Sequence, residues 1–268
     1  MSDMKIGVVG CAGRMGVALL KQISETSGCE IAGGTERPGS VALGQDIGVI
    51  AGLGNLDIKI TEDAAALISS VDAILEFTAP AATVKHAALC AEHGTAHIIG
   101  TTGMEAEHQS AIDAAALLTP VVQAGNMSVG VNLLVEVTRR VAATLDADWD
   151  VEVVEMHHRH KVDAPSGTAL MLGRAAADGR GINHDSVVKR GRDGITGERE
   201  RGEIGYASLR GGNVVGDHTV IFAADNERIE ISHKASDRAL FARGAVTAAL
   251  WTKDRAPGHY NMADVLGF

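Results

Sequence analysis

Between Lys5 and Ala124, short apolar runs alternate with stretches in which apolar residues recur at helical spacing, and this alternation leaves few folds open. Lys5 to Val9 reads as a strand, and Met15, Leu19 and Ile23 as the inner face of the helix after it. Glu30 to Gly34 reads as a second strand. The stretch from Val41 to Leu56 is rich in glycine, has no clean period and reads as irregular loop. The rhythm then resumes with helix Asp63 to Ser69, strand Ala73 to Phe77, helix Ala81 to Glu92, strand Ala96 to Gly100, helix Glu105 to Leu117 and strand Val121 to Ala124. Parallel neighbours need a crossover between them, so repeated strand and helix units imply a parallel sheet covered on both faces.

The rhythm changes around Asn126 to Gly130. A longer helical segment, Val129 to Leu145, follows with Ser128 as its N-cap. Beyond it lie strand Val151 to His157, helix Ser166 to Ala177 and a group of strands between Tyr206 and Ser232 with no helix among them, which suggests a mixed sheet. The helical pattern from Asp237 to Trp251 is expected to return to the first domain. The fold expected is α/β: a Rossmann-like parallel-sheet domain over residues 1–127, completed by 237–268, and a smaller α+β domain with a mixed sheet over 128–236.

Composition narrows the partners. A formal net charge of -10 with only 3% aromatic residues offers neither a basic track for phosphates nor rings on which bases could stack, so no nucleic acid is expected. No apolar stretch approaches the ~18–20 residues of a membrane span. Cys11, Cys29 and Cys90 are an odd set scattered through one half of the chain, which suggests reduced thiols and a cytoplasmic setting.

Gly10, Gly13 and Gly16 punctuate the first strand-to-helix turn. Small residues there let backbone N–H groups and the positive end of the helix approach a pyrophosphate. Glu36 arrives 20 residues after Gly16, at the end of the next strand, where a carboxylate can accept hydrogen bonds from a ribose. Glu36 favours NADH, while Arg37 beside it can pair with the 2′-phosphate of NADPH, so both cofactors are expected to be usable. Two later strand ends, Glu76 to Pro80 and Gly100 to Gly103, fall at the same edge of such a sheet. The alternative is that the glycines serve only close packing of helix on strand.

The most informative stretch runs from Glu155 to Ala169. His157, His158, Arg159, His160 and Lys161 gather proton-exchanging and cationic groups in a pattern that a purely structural strand would not carry. Pro165, Ser166, Gly167 and Thr168 then open a helix, a position suited to a carboxylate. A metal reading of the three histidines is disfavoured because Arg159 and Lys161 are interleaved among them and no acid or cysteine completes a ligand set. Downstream, Val188 to Gly205 holds Lys189, Arg190, Arg192, Arg199 and Arg201 among glycines. It reads as a mobile or functional loop whose first three cations attract an anionic substrate.

The pattern E-x-H-H-x-x-K-x-D-x-P-S-G-T-A closely resembles the signature of the dihydrodipicolinate reductase family. The likeness extends to Gly10–Gly16, Phe77-Thr78, Gly100-Thr101-Thr102-Gly103, Asn126 to Gly130, Arg210-Gly211-Gly212 and Gly216-Asp217-His218. The resemblance implies NADH- or NADPH-dependent reduction of 4-hydroxy-tetrahydrodipicolinate in lysine and diaminopimelate biosynthesis, by a homotetramer whose second domain binds substrate and mediates oligomerisation. It implies that His157 donates or accepts a proton, that Lys161 donates a proton and pairs with a carboxylate, and that His158, Gly167 and Thr168 contact substrate. Cofactor contacts would fall on Gly10, Cys11, Ala12, Gly13, Arg14, Met15, Glu36, Arg37, Gly100, Thr101, Thr102, Ala124, Gly125, Asn126 and Met127. Cys11 stands where the family often has alanine, which is expected to make the turn sensitive to thiol reagents.

Two other readings are weighed. A non-catalytic NAD(H)-binding regulatory protein would explain the first domain but leaves His157 and Lys161 without a use. A semialdehyde dehydrogenase of similar architecture usually needs a cysteine nucleophile, and all three cysteines lie far in sequence from the histidine segment.

Overall fold

The computed structural model describes residues 2–268, so the domain border placed at residue 1 lies outside them. The chain runs β1 (Met4–Val9), α1 (Arg14–Ser24), β2 (Cys29–Thr35), α2 (Ile47–Ala51), α3 (Ala64–Ile68), β3 (Ala73–Glu76), α4 (Pro80–His93) and β4 (Ala96–Ile99). It continues through α5 (Ala106–Ala116), β5 (Pro120–Gln123), α6 (Val129–Thr144), β6 (Asp150–His157), α7 (Gly167–Arg180) and α8 (His184–Val187). It ends with β7 (Val188–Arg190), β8 (Ile204–Arg210), β9 (Gly216–Ala223), β10 (Arg228–Ala235), α9 (Ala239–Trp251), β11 (Gly258–Tyr260) and α10 (Met262–Leu266). Two compact units result: Met1–Val129 together with Arg238–Phe268, and Gly130–Asp237.

The first unit is a parallel sheet in the order β11-β5-β4-β3-β1-β2. Every residue of the central strands β3 and β4 is buried, the pattern of strands covered on both faces. Succession reverses between β2 and β3 on either side of β1, so the carboxyl ends flanking β1 form the switch point at which such sheets leave a crevice. Ile6, Val8, Leu19, Leu20 and Ile98 share one core with Ala242, Ala245, Val246 and Ala249 of α9. The last segment of the chain thus closes the first sheet. No helix among the described residues is long and apolar enough to cross a membrane.

The second unit is a mixed sheet in the order β10-β9-β6-β8-β7, with β6 parallel to β8 and antiparallel to β9. Alternate residues of β6 and β9 are buried, so each strand keeps one face on a core of Val151, Val153, Val220, Phe222 and Leu172. That alternation fixes the register in which β6 delivers His157 at its end.

Three segments differ from the sequence reading. The Val41 to Leu56 stretch contains a short helix, α2. Asp46 caps it, accepting from the N–H groups of Gly48 (2.9 Å), Val49 (3.0 Å), Leu56 (3.1 Å) and Ile58 (3.0 Å). One carboxylate organises that loop, and no apolar period announces it. Beyond α9, β11 pairs with β5 and α10 follows.

The third segment is the arginine-rich stretch, which pairs internally and contributes the edge strand β7. Arg192 donates to Glu152 (3.1 and 2.9 Å) and Glu203 (3.2 Å), and Arg199 to Glu152 (3.0 Å) and Asp150 (2.5 Å). Gly205 leaves the space that the Glu152 carboxylate occupies, since a Cβ there would lie 1.9 Å from Oε2. Arg192 is therefore a strap across the strand ends, its charge already met by these acids, while Lys189 and Arg190 lie exposed on the edge strand β7.

Candidate active site

The glycine turn is built as its spacing implies. Gly10 has φ +70°, in the left-handed region, and its carbonyl accepts the Gly13 N–H (3.1 Å). A Cβ on Gly16 would sit 2.3 Å from the Gly10 carbonyl oxygen, so only glycine lets α1 start against the turn. The N-cap Gly13 offers no side chain to the first turn of α1, which leaves that helix end to an external acceptor. Glu36, just past β2, accepts the Ala12 N–H at 3.0 Å and so ties the turn to the second strand.

Gly10, Gly13, Glu36, Arg37, Thr78 and Lys85 are among the residues lining a cavity of about 600 Å³ within the first unit. Two glycines of the turn, the acids Glu36 and Glu62 and the cations Arg37 and Lys85 around one cavity fit a dinucleotide. The remaining residues expected at the cofactor site stand at the same sheet edge. Gly100, Thr101 and Thr102 follow β4, where Thr101 Oγ1 accepts the Thr78 N–H at 3.0 Å. Ala124, Gly125, Asn126 and Met127 follow β5, and the Asn126 side chain accepts the Ser128 N–H at 2.9 Å. A second cavity, of about 500 Å³, opens at the opposite edge beside Asp3, Asp72 and Lys253 and holds none of the expected residues.

Cys11 does not behave as its exposed neighbours suggest. It is fully buried against Gly34, and burial, reinforced by the charge of Glu36, pushes its thiol up to about 12. The expected reactivity of the turn toward thiol reagents is thus corrected.

A cluster that sequence reasoning missed lies beneath this edge. The Glu76 carboxylate, fully buried at the end of β3, meets His97 Nε2 at 2.7 Å and His86 Nδ1 at 2.9 Å, and also accepts from Thr78 Oγ1. Burial opposes its charge, yet the hydrogen bonds to His86 and His97 hold the carboxyl well below the usual range. The signal available in sequence was Glu76 itself, an acid at the end of an otherwise apolar strand.

In the second unit β6 ends on His157, whose Nδ1 lies 2.5 Å from Glu155 Oε2. Arg210, opposite His157 on β8, grips the same carboxylate with two parallel bonds of 2.7 and 2.8 Å. The Ser166 N–H adds a fourth bond at 3.2 Å. Burial alone would raise the Glu155 pKa. The hydrogen bonds from Arg210, His157 and Ser208 outweigh it and bring the group to about 2. Ser166 also caps α7, its hydroxyl accepting the Ala169 N–H at 3.1 Å and meeting His218 Nε2 at 2.9 Å.

Lys161 Nζ lies 2.8 Å from Asp163 Oδ1, and a Cβ on Gly167, the first residue of α7, would meet nothing within 4 Å. There is room for a ligand above that helix end. His158 and Thr168 flank His157 and Gly167 along the chain, so all five residues expected at the substrate site belong to this unit, at the end of β6, the following loop and the start of α7. Glu155, Arg210 and His218 were not foreseen as members of the site.

Family models agree over both units. The N-terminal model of dihydrodipicolinate reductase matches residues 4–127 and the C-terminal model residues 130–266. A protein of Parvibaculum lavamentivorans named 4-hydroxy-tetrahydrodipicolinate reductase is 56% identical over 267 residues, covering 99% of this chain and 98% of the relative. One of the same name from Dinoroseobacter shibae is 54% identical over 268 residues, covering both chains fully. Among solved structures, dipicolinate-bound dihydrodipicolinate reductase from Paenisporosarcina sp. TG-14 superposes with a TM-score of 0.77 at 20% identity, over 98% of each chain. A probable dehydrogenase from Thermotoga maritima shares the fold more loosely, with a TM-score of 0.63 at 10% identity over 98% of this chain and 92% of that one. With both family models matched in order and full-length relatives identical at more than half of their positions, the chain belongs to the dihydrodipicolinate reductase family.

Proposed function

We propose that this chain catalyses the nicotinamide-dependent reduction of 4-hydroxy-tetrahydrodipicolinate to tetrahydrodipicolinate in the lysine and diaminopimelate route, as a cytoplasmic homotetramer. The observation that carries this reading is the grouping of His157, Lys161 and the open start of α7 in one unit of a chain that matches the family over its whole length.

A bound reduced nicotinamide supplies the hydride. The protein's own part is to hold a dicarboxylate and to manage protons. Lys161 offers a positive charge to one substrate carboxylate, in exchange for part of its contact with Asp163, and so orients the ring. Gly167 and Thr168, at the positive end of α7, receive the other carboxylate, and His158 adds a polar contact. The substrate hydroxyl leaves with a ring hydrogen as water, the hydride adds to the conjugated ring so formed, and His157, protonated on both nitrogens at that moment, gives its Nε2 proton to the reduced ring.

Glu36 and Arg37 sit side by side on the cofactor cavity, one suited to a free ribose and the other to a 2′-phosphate, which supports use of both NADH and NADPH. The regulatory alternative has no such support, because it gives the second site no task.

The test mixes the purified chain with NADH or NADPH and freshly generated 4-hydroxy-tetrahydrodipicolinate and follows the loss of nicotinamide absorbance. Loss with both cofactors is expected. No loss with either overturns the reading, and sedimentation of the same sample tests the tetramer.

A further inference from the structure

We propose that Glu155 and Arg210 are positioning residues, which fix the His157 imidazole with its proton on Nδ1 and leave Nε2 as the nitrogen that exchanges a proton with substrate. The inference rests on the role given to His157 above and adds to it two residues and one atom.

The geometry leaves Nδ1 a single role. An ionised carboxylate only accepts, so the 2.5 Å contact with Glu155 Oε2 requires a proton on Nδ1. Glu155 is in turn committed as an ion. Both of its oxygens are held by the Arg210 fork, and Ser166 N–H supplies a further donor, in a position where the side chain is 1% exposed. Removing a proton acceptor of this kind leaves an imidazole free to take the other tautomer, in which Nδ1 is bare, Nε2 can no longer take up a proton to pass on, and the ring orientation is loose.

Arg210 reaches this place through strand register, since β8 pairs in parallel with β6 and sets Arg210 opposite His157. Its Nη2 also donates to the Asp163 carbonyl at 2.7 Å, which connects the clamp to the loop carrying Lys161. On the far side of the imidazole, Gly216 at the start of β9 has no side chain, and a Cβ there would lie 3.0 Å from Nε2. The Nδ1 edge of the ring is therefore gripped, and Gly216 keeps a methyl group from pressing on the Nε2 edge. Other titratable groups here are His218 on β9, whose ring centroid lies 5.0 Å away, and Lys161, which is paired with Asp163 and whose charge is felt by His218. His233 on β10 stands beyond His218, its register partner.

The experiment uses the full chain with 15N-labelled histidine, and long-range proton–nitrogen correlation spectra at neutral pH, with His157→Gln identifying the resonance. The wild-type spectrum is expected to show the Nδ1–H tautomer. Glu155→Gln is expected to lose that exclusive tautomer and to lower kcat by ~100-fold or more, with the KM for NADH changed by about twofold at most. Arg210→Lys, which keeps the charge but loses the fork, is expected to retain the tautomer and lose about tenfold in kcat.

A wild-type Nε2–H tautomer would overturn the proposal, as would a folded Glu155→Gln protein with unchanged spectrum and rate. An Arg210→Lys protein with the wild-type rate would remove Arg210 from it. The spectrum needs no substrate, so it is read independently of the assay for the parent function. A wild-type chain with the Nδ1–H tautomer that fails to reduce the substrate overturns that function and the catalytic use of Nε2 with it.

Discussion

Ser166 Oγ lies 2.9 Å from Nε2 of His218, with both residues buried behind the start of α7. Burial, and then the neighbouring His157, push the His218 pKa from 6.5 down to about 4. The folded chain thus prefers this imidazole neutral. Its contribution to stability is full above the unfolded value near pH ~6.5 and is lost as the pH falls toward about 4. At about 1.4 kcal/mol per pH unit, the loss is on the order of 3 kcal/mol. Glu155 adds a second loss at lower pH, between its unfolded value near ~4.3 and about 2. Urea titrations of the second unit's unfolding across this range should show a weakening that begins below pH ~6.5, and His218→Gln should flatten that first step. A wild-type midpoint that stays constant from neutrality down to pH ~4 would refute the assignment.

His157→Gln is expected to cost ~100- to 10,000-fold in kcat and to leave NADH affinity unchanged, because the imidazole serves proton transfer. Lys161→Ala is expected to raise the substrate KM and lower kcat together, since the ammonium both binds and orients. Steady-state kinetics with a separate fluorescence titration of NADH distinguishes the two patterns.

Arg37→Ala should weaken NADPH binding by about 10- to 100-fold, the worth of a charge-assisted bond at ~1.5–3 kcal/mol, while NADH binding changes little. Equal losses for both cofactors would place the arginine elsewhere than at the 2′-phosphate. Fluorescence titration with each cofactor measures this.

Gly16→Ala forces a methyl group to within 2.3 Å of the Gly10 carbonyl oxygen. The turn or the helix start must shift, at about 1–3 kcal/mol, and NADH affinity should fall by tenfold or more. Calorimetry of both proteins with NADH provides the comparison.

Cys11 should resist thiol reagents in the folded chain and react only after unfolding, since its sulfur is buried and its pKa lies at about 12. Mass spectrometry after brief alkylation, with and without denaturant, reads this directly.

Much of this architecture could be read from residue order because local pattern and tertiary role agree in it. The alternation from Lys5 to Ala124 announces the sheet, and Gly10, Gly13 and Gly16 announce the turn, because each obeys a period or a steric rule. Arg210 was beyond such reading. Its partner Glu155 lies 55 residues away, and only the parallel pairing of β6 with β8 joins them. The same holds for His218 and Ser166, 52 residues apart. Arg192 in the basic stretch misled for a related reason. Arg192 and Arg199 look unpaired along the chain, yet the acids that neutralise them, Asp150 and Glu152, stand on β6, 40 to 49 residues earlier. Helix α2 was missed because a carboxylate rather than an apolar stripe defines it.

Helix α9 comes after the whole second unit, yet it fills the flank of the sheet that the first residues begin. During synthesis, then, the amino-terminal half must wait with an uncovered apolar surface while the whole intervening unit leaves the ribosome. The inserted unit, whose strands are contiguous from Asp150 to Ala235, is free to finish first. A fragment ending after residue 129 would carry the nucleotide turn intact in sequence and still lack the piece that keeps it from aggregating.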